Sequence, residues 1–196
     1  MRNSTLSTVI LAFFAASTLT PAPSVHHPLT TLEIDAAQAK VEFTLGDTLH
    51  TVHGTFKLKS GSIHFDADTG QASGALIVDA ASGTSGSDGR DRRMRKNILE
   101  TEKFAETTFT PDRFEGRLAP EGDSEIALHG TFFIHGAGHE MVLKTAVHRS
   151  GDQLTASTHF VVPYVAWGMK SPSMLFMRVS DKVDIDLQAT GRLRAE

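Results

Sequence analysis

Five cations fall within seven residues of this chain: Arg90, Arg92, Arg93, Arg95 and Lys96. Guanidinium groups pair bidentately with phosphate and carboxylate, so a run this dense is where an anionic head group would be held. The same run also reads as a solvated helix face, partly neutralised by Asp91, Glu100 and Glu102, which is what charge runs usually are. Around it the chain is acidic, with 19 Lys and Arg against 23 Asp and Glu and a formal charge of −4. That balance speaks against a generic nucleic-acid binder.

Other chemistry is thinner. His50 and His53 point to opposite faces if they lie on a strand. His135 and His139 flank a Gly-rich turn and could approach each other, but no carboxylate stands at a spacing that completes a zinc motif, and no metal site is expected. The chain has no Cys, which removes thiol nucleophiles, Cys-based zinc sites, iron–sulfur clusters and disulfides. Residues 83–89 (GTSGSDG) are Gly-rich yet lack the Lys and spacing of a phosphate-cradling loop. There is no Gly-x-Ser-x-Gly elbow, and no catalytic residue is expected.

A second unusual segment runs from Pro163 to Val179 (PYVAWGMKSPSMLFMRV). It contains the only Tyr and the only Trp of the chain, with Met169 and Phe176 close by. Surface loops are normally polar. An apolar one either plugs an end of the fold or forms a portal lined with adaptable side chains for a greasy ligand.

The elements that must position these residues alternate with a period of two. Val41, Phe43 and Leu45 alternate with Glu42 and Thr44. Val52, Phe56 and Leu58 alternate with His53, Thr55 and Lys57. The same pattern recurs over Ile126–Ile134, Met141–Val147, Leu154–Val162 and Val183–Gln188, and Gly-containing turn signals separate the runs. Such strands bury one face and wet the other, as antiparallel sheets do. Roughly eight strands in sequence suggest a meander that closes into a barrel or folds as a sandwich. Only residues 91–104 break the rhythm: Met94 and Ile98 stand four apart, and Ser87 or Asp88 offers an N-cap, so a short inserted helix is expected there.

Residues 1–24 carry Arg2, an apolar run from Leu6 to Leu19 and then small residues and prolines, the order of a secretory signal. Residues 25–31 read as a flexible lead-in and residues 32–196 as one all-β domain. No later stretch is long and apolar enough for a membrane-spanning helix. The expected location is periplasmic or secreted.

Several pieces carry a resemblance: Ile34-Asp35; Val52-His53-Gly54-Thr55-Phe56 leading to Gly61-Ser62-Ile63; Ser82-Gly83-Thr84 up to Arg90-Asp91; and Lys96-Asn97 with Phe104 and Thr108-Phe109. Leu128-His129-Gly130-Thr131-Phe132-Phe133-Ile134-His135-Gly136 and Trp167-Gly168-Met169 complete the series. In order and spacing they resemble the YceI-like proteins, a lipocalin-like group of exported isoprenoid-binding proteins, over about residues 32–190. The resemblance implies an extended eight-stranded antiparallel barrel whose pore holds a polyisoprenoid, of quinone or prenyl-phosphate type, as a ligand and without a cofactor. Gly46-Asp47 and Ala166-Trp167 depart from the family's usual pattern and leave the ligand open. An eight-stranded barrel is just wide enough to be filled by side chains or to hold one slender ligand. Inward members of Phe43, Phe56, Phe132 and Phe160 are expected to line the pore, with Trp167, Met169 and Phe176 at its end. Arg90, Asp91 and Arg93 are the head-group candidates. The expected partner is an amphiphilic lipid, with a barrel enzyme acting on a lipid-like substrate and a ligandless secreted structural or interaction domain as the alternatives, and a homodimer is left open.

Overall fold

The computed structural model describes residues 29–47, 50–173 and 178–195. The alternating runs form strands β1 (Thr30–Ile34), β2 (Lys40–Gly46), β3 (Thr51–Asp66), β4 (Gln71–Thr84), β5 (Glu106–Gly116), β6 (Gly122–Ile134), β7 (Ala137–Ser150), β8 (Gln153–Val162) and β9 (Val183–Ala195). Consecutive strands from β2 to β9 pair antiparallel, and β9 returns to the start of the chain, so the sheet closes on itself.

β1 and β2 share one place in that ring. β1 pairs the far half of β3 (Leu32↔Ile63) and the end of β9 (Leu32↔Leu193). β2 pairs the near half of β3 (Val41↔Phe56) and the start of β9 (Phe43↔Ile185). They are one strand position broken between Ile34 and Lys40, which leaves the eight positions that the alternation predicts. Asp35 makes the break: its carboxylate accepts from the Ala37 amide (3.0 Å) and the Gln38 side chain (2.6 Å), a local turn that competes with the ladder.

The apolar parity of each strand faces inward. Leu32, Ile63, Phe65, Ile126, Leu128, Val147 and Leu154 pack together at the end of the barrel that carries only turns. At the other end, Val162, Tyr164 and Met169 form a smaller cluster with Ile98 and Leu99 against it.

The inserted helix lies at this second end. α1 (Asp88–Arg93) continues into one π-helical turn (Met94–Ile98). It thus starts at Asp88 rather than Asp91 and ends at Ile98 rather than near Phe104. Glu100 explains the early end, because its φ of 47° is a left-handed conformation that stops a helix. Gly83 explains how closely the helix docks: a Cβ there would meet the Met94 methyl at 2.5 Å and the Phe56 ring at 2.6 Å.

Candidate functional site: an apolar cavity under the helix

Between the packed turn end and the helix lies a cavity of ≈ 170 Å³. Its barrel wall includes Phe43, Phe56, Phe109, Phe132 and Phe160, its roof Met94, Ile98 and Leu99, and its outer rim Tyr164, Met169 and Pro172. Among the described residues no charged side chain lines it, and Thr107 and Tyr164 supply the only side-chain hydroxyls. A smaller void of ≈ 50 Å³ lies toward the turn end and shares Leu76, Leu143 and Leu187 with the larger one.

Strand parity brings the phenyl groups together. The Phe43 and Phe56 rings sit 5.4 Å apart, tilted, on paired strands. Phe132 meets Phe160 edge-on at 5.8 Å. Gly54 makes room for the first pair, since a Cβ there would run into the Phe43 ring at 2.3 Å. All four phenylalanines expected in the pore line the cavity, as does Met169. Trp167 stands behind that wall, 6.0 Å from Phe132 and stacked on the His139 ring at 3.9 Å with an interplanar angle of 6°. Phe176 lies outside the described residues.

Residues 163–173 close the mouth as well as lining it. The Tyr164 hydroxyl donates to the Ser180 carbonyl at 2.7 Å. Burial raises the Tyr164 pKa, which keeps that donor protonated. At the rim, the Glu100 carboxylate gathers Lys103 (3.4 Å), Lys170 (3.7 Å) and His135 (3.7 Å) from three separate segments. The field of Lys103 and its hydrogen bond hold Glu100 below the usual carboxylate range, with Lys170 and His135 adding to it.

The cation run divides in two. Arg90 donates to the Ser85 hydroxyl (2.7 Å) and carbonyl (2.8 Å), and Arg95 donates to the Gly83 carbonyl (3.1 Å). Asp91 is 4% exposed. It accepts from the Ser85 amide (2.9 Å), the Ser85 hydroxyl and the Thr84 hydroxyl (3.2 Å). Burial alone would raise the Asp91 pKa, but these donors and Arg95 outweigh it and the carboxyl sits low. Arg90, Asp91 and Arg95 therefore tie the end of β4 to the helix. Arg92, Arg93 and Lys96 are exposed on the outside, and none of the run lines the cavity.

The histidines go separate ways. His53 bonds the Thr44 hydroxyl at 3.1 Å, and His50 lies 3.4 Å from Asp47. His135 meets Phe104 at 4.6 Å with the rings tilted by 53°, while His139 stacks on Trp167, so the second pair has separate ring partners. The roof residue Leu99 and the wall residue Thr107 escape the sequence reading, whereas Leu45 shares the apolar parity of Phe43 and Tyr164 belongs to the apolar segment singled out there. Met94 and Ile98 had a signal in their four-residue spacing.

The wall is also incomplete. β7 pairs β8 only from Thr145↔Thr158 to Ser150↔Gln153, so among the described residues Ala137–Lys144 has no partner strand on that side. At the fork the Thr158 hydroxyl donates to the Lys144 carbonyl at 2.9 Å.

A closed up-and-down barrel, capped at one end over an apolar interior, is a lipocalin-like architecture. The YceI-like domain family matches residues 32–191, and the chain belongs to that family. Among solved structures, a polyisoprenoid-binding domain from Saccharophagus degradans, implicated in plant cell wall breakdown, is similar with a TM-score of 0.67 at 17% identity, over 83% of this chain and 98% of that one. BcnA of Burkholderia cenocepacia is similar with a TM-score of 0.67 at 16% identity, over 80% and 98%. The YceI protein of Campylobacter jejuni follows with 0.56 at 19% identity, over 76% and 87%. No curated protein sequence matches the chain.

Proposed function

We propose that the protein binds the apolar chain of an amphiphilic lipid, of polyisoprenoid type, and carries or stores it outside the cytoplasm without chemical change. The observation that carries this reading is the cavity of ≈ 170 Å³ whose walls, among the described residues, bear no charged side chain. An isoprenoid tail gains about 0.8 kcal/mol for each methylene it buries, and the tilted phenyl pairs offer it faces and edges on every side. Among the described residues the lining carries no carboxylate, imidazole or amine, which suits an apolar chain held without polar contacts. The name of the Saccharophagus domain supports the same ligand class for this chain.

In this reading the tail lies between Phe43, Phe56, Phe132 and Phe160, with Met169 at the rim and Trp167 behind it. The head group sits at the mouth. Arg93, with Arg92 and Lys96, is the cation set that reaches outward for a phosphate, whereas Arg90 and Asp91 act through the loop that holds the helix. Residues 1–24 would direct export and be removed.

The test is organic extraction of the purified native protein followed by mass spectrometry, with titration of a prenyl phosphate and the matching prenol. The expected result is a polyisoprenoid in the extract and tight binding of the prenol. Phe160→Asp should lose both. A folded protein that yields no lipid and binds neither compound would overturn the reading.

A further inference from the structure

The barrel interior holds two voids, ≈ 170 Å³ under the helix and ≈ 50 Å³ toward the turn end, and three side chains line both: Leu76, Leu143 and Leu187. They stand on β4, β7 and β9. Around the ring of eight strand positions these strands lie three, two and three places apart. Leucines spread in this way close in on the barrel axis from all round it, where three neighbours on one wall would leave the far side open. They therefore stand between the voids as a waist.

The step across the waist is not a change of chemistry. Among the described residues no charged side chain lines the lower void, and its two hydroxyls belong to Thr145 and Thr158. Both donate to main-chain carbonyls, Thr145 to Leu143 at 3.2 Å and Thr158 to Lys144 at 2.9 Å. A hydrocarbon tip would meet no unspent hydroxyl donor there, so polarity does not bar it. What separates the voids is side-chain volume. Leu76 and Leu143 are buried, and Leu143 is paired with Leu128 on β6. In an interior packed as densely as a crystal, such side chains have little room to step aside.

We propose that Leu76, Leu143 and Leu187 set the length of chain that the cavity accepts. The tip of a prenyl tail stops on the three leucines, and the units beyond that length stay outside the mouth. The lower void is left as packing space of the turn end. This rests on the cavity being the site of a prenyl tail, and it adds which tails fit.

The test is the affinity of linear prenols of graded length, from about two to about ten isoprene units, each unit adding apolar surface to bury. In the wild type every unit that enters should tighten binding about tenfold or more, until the tip reaches the waist. Units added after that should change affinity by less than about threefold, because they remain in water. Leu143→Ala joins the two voids and should move the levelling point to prenols longer by about one unit or more. Leu187→Ala should do the same, and Leu187 is only half-buried, so this variant keeps its fold where the loss of Leu143 costs too much. Leu128→Ala takes the same atoms from the lower wall alone and should leave the levelling point in place. Wild-type affinity that keeps climbing through the longest prenol would overturn the waist and leave the tail site standing. So would a levelling point that neither waist variant moves, or that Leu128→Ala moves as far. A folded wild type that binds no prenol of any length would overturn both.

Discussion

At the turn end of the barrel, Leu32, Ile63, Phe65, Ile126, Leu128 and Leu154 fill the interior and leave a void of only ≈ 50 Å³. At the helix end, walls of the same chemistry enclose more than three times that volume. The strand pattern does not differ between the two ends; what differs is the lid. Short turns let opposite walls meet at the first end. At the second, α1 and residues 163–173 bridge the mouth and hold the walls apart. Emptiness here is built by tethers at the rim, such as Asp91 and Glu100, rather than by small residues in the wall.

Paired truncations should separate the two ends most strongly. Leu154→Ala removes a side chain that is 2% exposed and should cost about 4 kcal/mol, since packed neighbours cannot collapse into the space. Leu45→Ala, on the cavity wall, should cost about half of that, because it enlarges a space that already exists. Urea unfolding of the two variants measures the contrast, and equal losses would mean that the ends are packed alike.

Asp91→Ala should follow, at about 2–3 kcal/mol, by stranding the donors of Ser85 and Thr84. The Asp91 carboxyl is depressed in the folded protein. Its contribution is therefore present above the unfolded-state pKa of about 4 and is lost as pH falls through the lower folded value. The urea midpoint of the wild type should fall in that acid range, and Asp91→Asn should flatten this part of the profile.

Thr158→Val tests the fork and should cost about 1 kcal/mol, the worth of one hydrogen bond, with faster amide exchange along residues 137–144. The smallest effect is expected from Arg92→Gln with Lys96→Gln. Both side chains are exposed on the outside of the helix, so stability should move by less than about 0.5 kcal/mol and affinity for an uncharged prenol should hold. A fall in affinity for the prenyl phosphate alone would locate the head group at this face.

Much of this arrangement could be read from the sequence because strand parity is local. Phe43, Phe56, Phe132 and Phe160 needed only their own neighbours to show which side they face, and closure of the ring then brought them together. The break between β1 and β2 was less legible, since Ile34-Asp35 looks like a strand end until β9 is seen to pair both halves. The cation run was the least legible. Nothing local distinguishes Arg90 and Arg95, which hold the Ser85 and Gly83 carbonyls, from Arg92 and Lys96, which face water. That division depends on where β4 ends relative to the helix, a tertiary fact. Leu99 and Tyr164 line the cavity for the same kind of reason, through docking of the lid rather than through periodicity.

The pairing of Thr30 with Ala195 has a consequence for how the chain folds. The seam that closes the ring joins residues near opposite ends of the sequence, whereas every other seam beyond β3 joins consecutive strands. Hairpins from β3 to β8 can form early and locally, yet the ring stays open until β9 arrives. Such non-local closure makes for high contact order and slow folding. A nascent polypeptide would have no closed barrel, and no cavity, until β9 had been released to pair with β1, β2 and β8. Removing β9 should therefore leave a collapsed meander that neither resists protease nor retains a ligand.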